Sequence, residues 1–164
     1  MKDKQKEYWD TTVQDSLVEE VLQYKSHGTA LDLGAGTGRD SIFLAEHGFI
    51  VTTVDNDKTH HDNLAQKISV KSLPIDQVIA DIQNYVPNTD FDVVISDMVL
   101  HFLDRSGVES AIKNMQAWTK PNGINIVIAY SDKNPTGKRP YLFRHNQLFQ
   151  LQVILLLLLL VCLS

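Results

Sequence analysis

The chain has 164 residues, 43% of them apolar, with a formal net charge of −5 and an isoelectric point near 5.6. That length suits a single domain, and the acidic balance excludes the basic face a nucleic-acid surface needs. A lone Cys162 excludes an internal disulfide, no Cys or His pair has metal-ligand spacing, and the charged stretch 1–10 carries no apolar signal segment, so the expectation is a cytosolic protein with a small-molecule partner.

Residues 11–26 place Val13, Leu17, Val21, Leu22 and Tyr24 at near-helical spacing, with Glu19 and Glu20 outward. That spacing predicts a first amphipathic helix packed on a sheet. Tyr8 and Trp9, just before it, read as a staple onto the helix or as a lid. Next comes Ala30-Leu31-Asp32-Leu33-Gly34-Ala35-Gly36-Thr37-Gly38, a short buried strand that runs into a glycine-rich turn. From Arg39 through His47 follows a second helix, with Ile42, Phe43, Leu44 and Ala45 as its apolar face and Gly48 as its stop. Glycines at 34, 36 and 38 let a ligand lie against the N–H groups at the helix start, and Asp32 faces the same crevice. A dinucleotide fingerprint, GxGxxG, would put its third glycine at position 39, which is Arg39. A pyrophosphate is therefore the weaker reading, and a nicotinamide-binding protein the disfavoured alternative.

Strand two, Phe49 to Val54, ends at Asp55, about 20 residues past the first glycine, where a carboxylate can accept from both hydroxyls of a ribose. Asp57 is placed to cap the helix that runs from Lys58 to about Ile68, which frees Asp55. His60 and His61 point about 100° apart on that helix and read as solvated first-turn residues. Strand three is expected at Gln77 to Ile82; Asp81 and Ile82 suit an adenine, the carboxylate accepting from the exocyclic amine, and a turn cap is the alternative for Asp81. Strand four, Phe91 to Ser96, is continuously apolar, as a central parallel strand is, and leads into Asp97 to Leu103. Neither an Asn-Pro-Pro-aromatic box nor a Pro-Cys nucleophile is present there. A helix over 106–119 presents Val108, Ala111, Ile112, Met115 and Trp118, Pro121-Asn122-Gly123 reads as a turn, and Ile124 to Tyr130 as strand five. The loop 131–140, with Arg144 and His145, gathers positive charge and is either a solvated surface or an anion-gathering one.

The motif DLGAGTG, with Asp55, Asp81 and the strand-four box, resembles the class I S-adenosylmethionine-dependent methyltransferases. More narrowly, LDLGAGTGRDSIFLAEHGF, FDVVISDMVLHFLDRSGVESAIKNMQAWTKPNGINIVIA and YLFRHNQL resemble the tellurite-resistance methyltransferase family, over Tyr8 to about Leu148. The resemblance implies an α/β, Rossmann-like sheet of strand order 3-2-1-4-5 with helices on both faces. It also implies S-adenosylmethionine as cofactor and methyl transfer to tellurite, selenite or another soft nucleophile. Carried over by position, Asp32, Gly34, Gly36 and Gly38 would line the methionine end and Asp55 the ribose. Asp81 and Ile82 would take the adenine, and Ser96 would offer its carbonyl to the amino group. Arg144, His145 and His101 would hold the substrate electrostatically, a packed core histidine being the alternative for His101. Ala35 stands where the family often has cysteine.

The family pattern breaks at about Phe149, where strands six and seven would follow and the chain instead runs into six consecutive leucines. The expected division is a C-terminally truncated methyltransferase domain, 1–148, and an apolar tail, 149–164, that is out of frame. A membrane anchor is the rival, but Leu148 to Leu163 gives about 24 Å of helix against a ~30 Å hydrocarbon core and holds two glutamines. A buried helix over the missing strands is the third account. Strand five then becomes an exposed edge, which predicts aggregation or dimerisation, and an inactive cofactor-binding remnant is the functional alternative.

Overall fold

The structure, a computed structural model, describes residues 16–130. Tyr8, Trp9, the loop 131–140, Arg144, His145 and the tail 149–164 lie outside the described residues.

Helix α1 (Ser16–Tyr24) leads into strand β1 (Gly28–Leu33), and α2 (Arg39–Glu46) leads into β2 (Phe49–Asp55). Helix α3 (Lys58–Lys71) precedes β3 (Ile75–Ile79), and β4 (Phe91–Asp97) is followed by a 3-10 turn at Leu100–Phe102, α4 (Arg105–Ala117) and β5 (Thr119–Ile128). All four strand pairs are parallel, in the order β3-β2-β1-β4-β5. The fold is the Rossmann-like α/β sheet anticipated above.

Strand β1 lies in the middle: Ala30 to Leu33 are all buried, Asp32 being the one polar residue among them. Successive side chains alternate between two cores. Ala30 joins Leu17, Val18, Leu44, Phe49, Ile95 and Ile126 beneath α1 and α2. Leu31 and Leu33 join Val94, Val108, Ile112, Met115 and Val127 beneath α4. Helices therefore cover both faces, as parallel sheets require.

Three boundaries differ from the sequence expectation, each for a physical reason. Tyr24 ends α1 and is 60% exposed, so the apolar face of that helix is Leu17, Val18 and Val21. Strand β3 starts at Ile75 and stops at Ile79: it is an edge strand, and Asp76 breaks the apolar run that marks a central one. Strand β5 begins before the Pro121-Asn122-Gly123 turn and contains it. Its register moves from Phe91↔Thr119 to Val93↔Ile124, so the turn residues form a bulge, with Asn122 at φ 62°.

At the amino end of the sheet Asp92 gathers three elements. Its Oδ2 accepts from Thr29 N–H at 2.9 Å, from the Thr29 hydroxyl at 3.1 Å and from Lys120 Nζ at 2.9 Å. Among the described residues no helix is long and apolar enough to cross a membrane.

Candidate functional site

A cavity of about 660 Å³ opens at the carboxyl ends of the strands, the size of a small-molecule site. The glycine turn, Asp32, Asp55, Asp81, Ile82, Arg39 and Asp97 line it, and Met98, Val99, Phe102 and Leu103 form an apolar wall.

The turn is built less openly than expected. Gly34 N–H donates to Val54 O at 2.7 Å, Ala35 N–H to the same oxygen at 3.3 Å, and Gly38 N–H to Ala35 O at 2.9 Å. Gly36 N–H donates to Asp55 Oδ2 at 2.7 Å. These four turn groups are already given to protein acceptors, so a ligand at the turn meets fewer open N–H groups than the three glycines alone suggest. The nicotinamide alternative remains disfavoured on the glycine spacing, because Arg39 stands where a dinucleotide site has its third glycine. The turn offers room instead. A Cβ on Gly36 would meet no protein atom within 4 Å, and Gly36 lines the cavity at φ 54°. Gly34 and Gly38 are small for another reason: a Cβ there would come within 2.3 Å of Val99 and 2.4 Å of Leu64.

Asp32 is buried at the end of β1, where the Ser41 hydroxyl donates to its Oδ2 at 2.5 Å. Burial and the neighbouring Asp40 push its carboxyl up to about 7, against the Ser41 bond and Arg39, which favour the ionised form. Asp55 ends β2, tied through Oδ2 to Gly36 and through Oδ1 to Asp57 N–H at 2.8 Å. Asp57 caps α3, its Oδ1 accepting from Thr59 N–H at 2.7 Å, and that backbone bond holds its carboxyl below the usual range. Asp57 thus takes the cap, as expected, and Asp55 lines the cavity.

Asp81 lies two residues beyond β3 and accepts from Gln83 N–H at 2.9 Å, so it caps its turn and also faces the cavity. Ile82 stands beside it. Ser96 is fully buried inside β4 opposite Val127 and does not line the cavity; the next two residues, Asp97 and Met98, do. Met98 reaches it in a left-handed conformation, φ 57°, fixed by its N–H bond of 2.7 Å to Ile128 O. His101 is fully buried, its ring 4.4 Å from Phe102 and 4.7 Å from Tyr130 between centroids. Phe102 lines the cavity; His101 stands behind it.

Three charged lining residues were not singled out as site candidates from the sequence: Arg39, Asp40 and Asp97. Arg39 bonds Asp40 through Nε at 3.0 Å and forms a short ion pair with Asp97 through Nη2. The available signal was Arg39 itself, standing where a dinucleotide site has glycine. Six aspartates line the cavity against one arginine and His60 among the described residues, so it favours a cationic ligand.

The tellurite resistance protein TehB family matches residues 1–150. A probable S-adenosyl-L-methionine-dependent methyltransferase TehB from Haemophilus influenzae is 32% identical over 124 residues, 76% of this chain and 43% of that protein. Hemagglutinin 1 of Eikenella corrodens is 30% identical over 121 residues, 74% of this chain and 40% of that protein. A crystal structure of TehB from Haemophilus influenzae superposes with a TM-score of 0.77 at 29% identity, covering 85% of this chain and 50% of that one. The chain thus spans less than half the length of the curated relatives it matches.

Proposed function

This chain belongs to the TehB tellurite resistance protein family, and we propose that it transfers a methyl group from S-adenosylmethionine to a small soft nucleophile, tellurite and selenite being the first to test. One observation carries the reading: a carboxylate-rich cavity joins the glycine turn to Asp55 and to the Asp81-Ile82 pair at the strand ends. A sulfonium nucleoside needs those features. The open space at Gly36 fits such a cofactor, because any side chain there would occupy the cradle.

When bound, S-adenosylmethionine supplies a methyl group already activated by its sulfonium, so the protein contributes alignment. Asp55 would accept from the ribose hydroxyls on the lone pairs that Gly36 and Asp57 leave. Asp81 would accept from the adenine amine, and Ile82 would cover the ring. The surplus of carboxylate stabilises the sulfonium and ammonium charges. Phe102, Val99 and Leu103 exclude water from the apolar side. A nucleophile with its own lone pair needs no general base; Arg144 and His145 would gather it.

Calorimetry of the full chain with S-adenosylhomocysteine and with NAD tests the cofactor, and turnover with selenite or tellurite tests the acceptor. Binding of the first ligand alone is expected. Binding of NAD alone would overturn the reading, and cofactor binding without turnover would favour the inactive remnant.

A further inference from the structure

We propose that the chain's own apolar segment, Phe149 to Val161, seats on the outer edge of β5, with Phe149 to Val153 paired to it as a strand. Topology and burial disagree at one end of the sheet. Strands β3 and β5 both stand last in the sheet, and among the described residues no strand pairs beyond either. Strand β3 has the marks of an open edge: it is five residues long, Asp76 is exposed, and Ile79 is 51% exposed. Strand β5 has none in its second half. From Ile124 to Ala129 every residue is buried, at 6% exposure or less. Helices α1 and α4 pack on its two faces, which leaves the sideways edge to something else.

The cover must do more than exclude water. Along a strand, the backbone groups of alternate residues turn to opposite edges. Ile128 O accepts from Met98 N–H on the β4 side, so Asn125, Val127 and Ala129 turn their N–H and C=O groups outward. Asn125 and Val127 are 1% exposed and Ala129 is fully buried. Buried backbone groups are almost always paired, and a neighbouring strand offers donors and acceptors at the right spacing. Residues 1–10 are charged and hold no apolar run. After Tyr130, by contrast, Phe149-Gln150-Leu151-Gln152-Val153 alternates apolar and polar, the pattern of a strand with one face in a core. It matches the buried half of β5, Ile124 to Ile128, residue for residue in length. Ile154 to Val161 is continuously apolar and suits the end of a core, and Pro135, Gly137 and Pro140 supply turns in the connection. The seating bears on the cavity, because Ile128 O fixes Met98, a lining residue, in its left-handed conformation.

Amide exchange followed by NMR on the full chain reads the edge directly and needs no ligand. Asn125, Val127 and Ala129 should exchange as slowly as Ile126 and Ile128, which face β4. Leu151→Pro removes a donor from the pairing segment; it should quicken exchange at the three outward amides and at Met98 by about tenfold or more, while β1 stays protected. A spin label on Cys162, the one cysteine, decides the matter in the unmutated sequence if Leu151→Pro unfolds as a whole. It should broaden the amides of β5 more than those of β3, and continue to do so when the labelled chain is diluted into unlabelled chain. Broadening lost on dilution would assign the edge to a second copy, and capture of the full chain by phosphatidylcholine vesicles would assign the segment to a membrane. Either result overturns the proposal, as would fast exchange at Asn125, Val127 and Ala129 in the wild type or unchanged exchange there in a folded Leu151→Pro.

Discussion

The hydroxyl of Ser41 donates to Asp32 Oδ2 over 2.5 Å, both residues buried, and joins the helix after the glycine turn to the strand before it. This single neutral donor faces a carboxyl group that burial and Asp40 push up to about 7. Because the folded pKa lies above the unfolded one, the native state holds the proton more tightly. Stability should fall as pH rises from about 4 to about 7 and level off above. Asp32→Asn keeps the shape and the Ser41 bond. It should raise the melting temperature at pH 8, by up to roughly 2–4 kcal/mol of stability, and flatten the pH dependence below 7. Thermal melts from pH 5 to 8 check this; an Asn variant less stable than the wild type at pH 8 would show that the ionised carboxylate is stabilising instead. The same variant should weaken S-adenosylmethionine, since a cationic ligand favours ionised Asp32.

Two glycines of one turn should respond differently to alanine. At Gly36 a Cβ meets no protein atom within 4 Å, so Gly36→Ala carries mainly the left-handed backbone penalty, about 1–2 kcal/mol. At Gly34 the Cβ would lie 2.3 Å from Val99 Cγ2, so Gly34→Ala adds a clash to the same backbone penalty and should destabilise by at least about 2–4 kcal/mol. Gly36→Val should then keep the fold and lower cofactor affinity at least tenfold. Denaturant melts rank the stabilities, and calorimetry reads the ligand; a Gly36→Val protein that binds as the wild type does would place the cofactor away from the turn.

The order of elements, the central glycine turn and the capping role of Asp57 were legible because each has a local signature: a continuous apolar strand, positive-φ glycines, a carboxylate two residues before helical N–H groups. Edge strand β3 was displaced because Asp76 and Gln77 are both polar, and an apolar run was the feature sought. The buried Asp40-Ser41 pair escaped for a related reason. Helical periodicity counts apolar residues, and this helix turns a polar step toward Asp32 and Arg39. Asp97 became visible as a partner only when β4 was set beside the start of α2, 58 residues away in sequence.

The far end of the sheet offers a control in which stability changes and the site does not. Burial opposes the ionised form of Asp92, but the Thr29 N–H and the bonds from Lys120 and the Thr29 hydroxyl outweigh it, and its carboxyl is held below the usual range. Its stabilising contribution is therefore present above about pH 4 and lost as pH falls through the folded value. Asp92→Ala should destabilise at pH 7 by about 1–3 kcal/mol, because Thr29 N–H and Lys120 lose their acceptor together. Cofactor affinity should stay within about twofold. A loss of affinity matching the loss of stability would mean that β1 transmits strain from one end to the other.

The acceptor poses the sharpest electrostatic problem. Tellurite and selenite are oxyanions, and the described cavity is lined by six aspartates against Arg39, itself paired with Asp40 and Asp97. Such a wall repels an oxyanion, so its counter-charge must come from other residues of the chain. The proposed source is Arg144 and His145, which lie beyond the described residues in a segment with Lys133, Lys138 and Arg139. Arg144→Ala should raise the KM for selenite at least tenfold, about 1.4 kcal/mol, and leave S-adenosylhomocysteine affinity within about twofold. The selenite KM of the wild type should also rise with ionic strength, and that dependence should weaken in the variant. Equal loss of substrate and cofactor binding in Arg144→Ala, or a KM indifferent to salt, would refute an anion-gathering role and turn attention to neutral soft nucleophiles, which the apolar wall of Val99, Phe102 and Leu103 would suit.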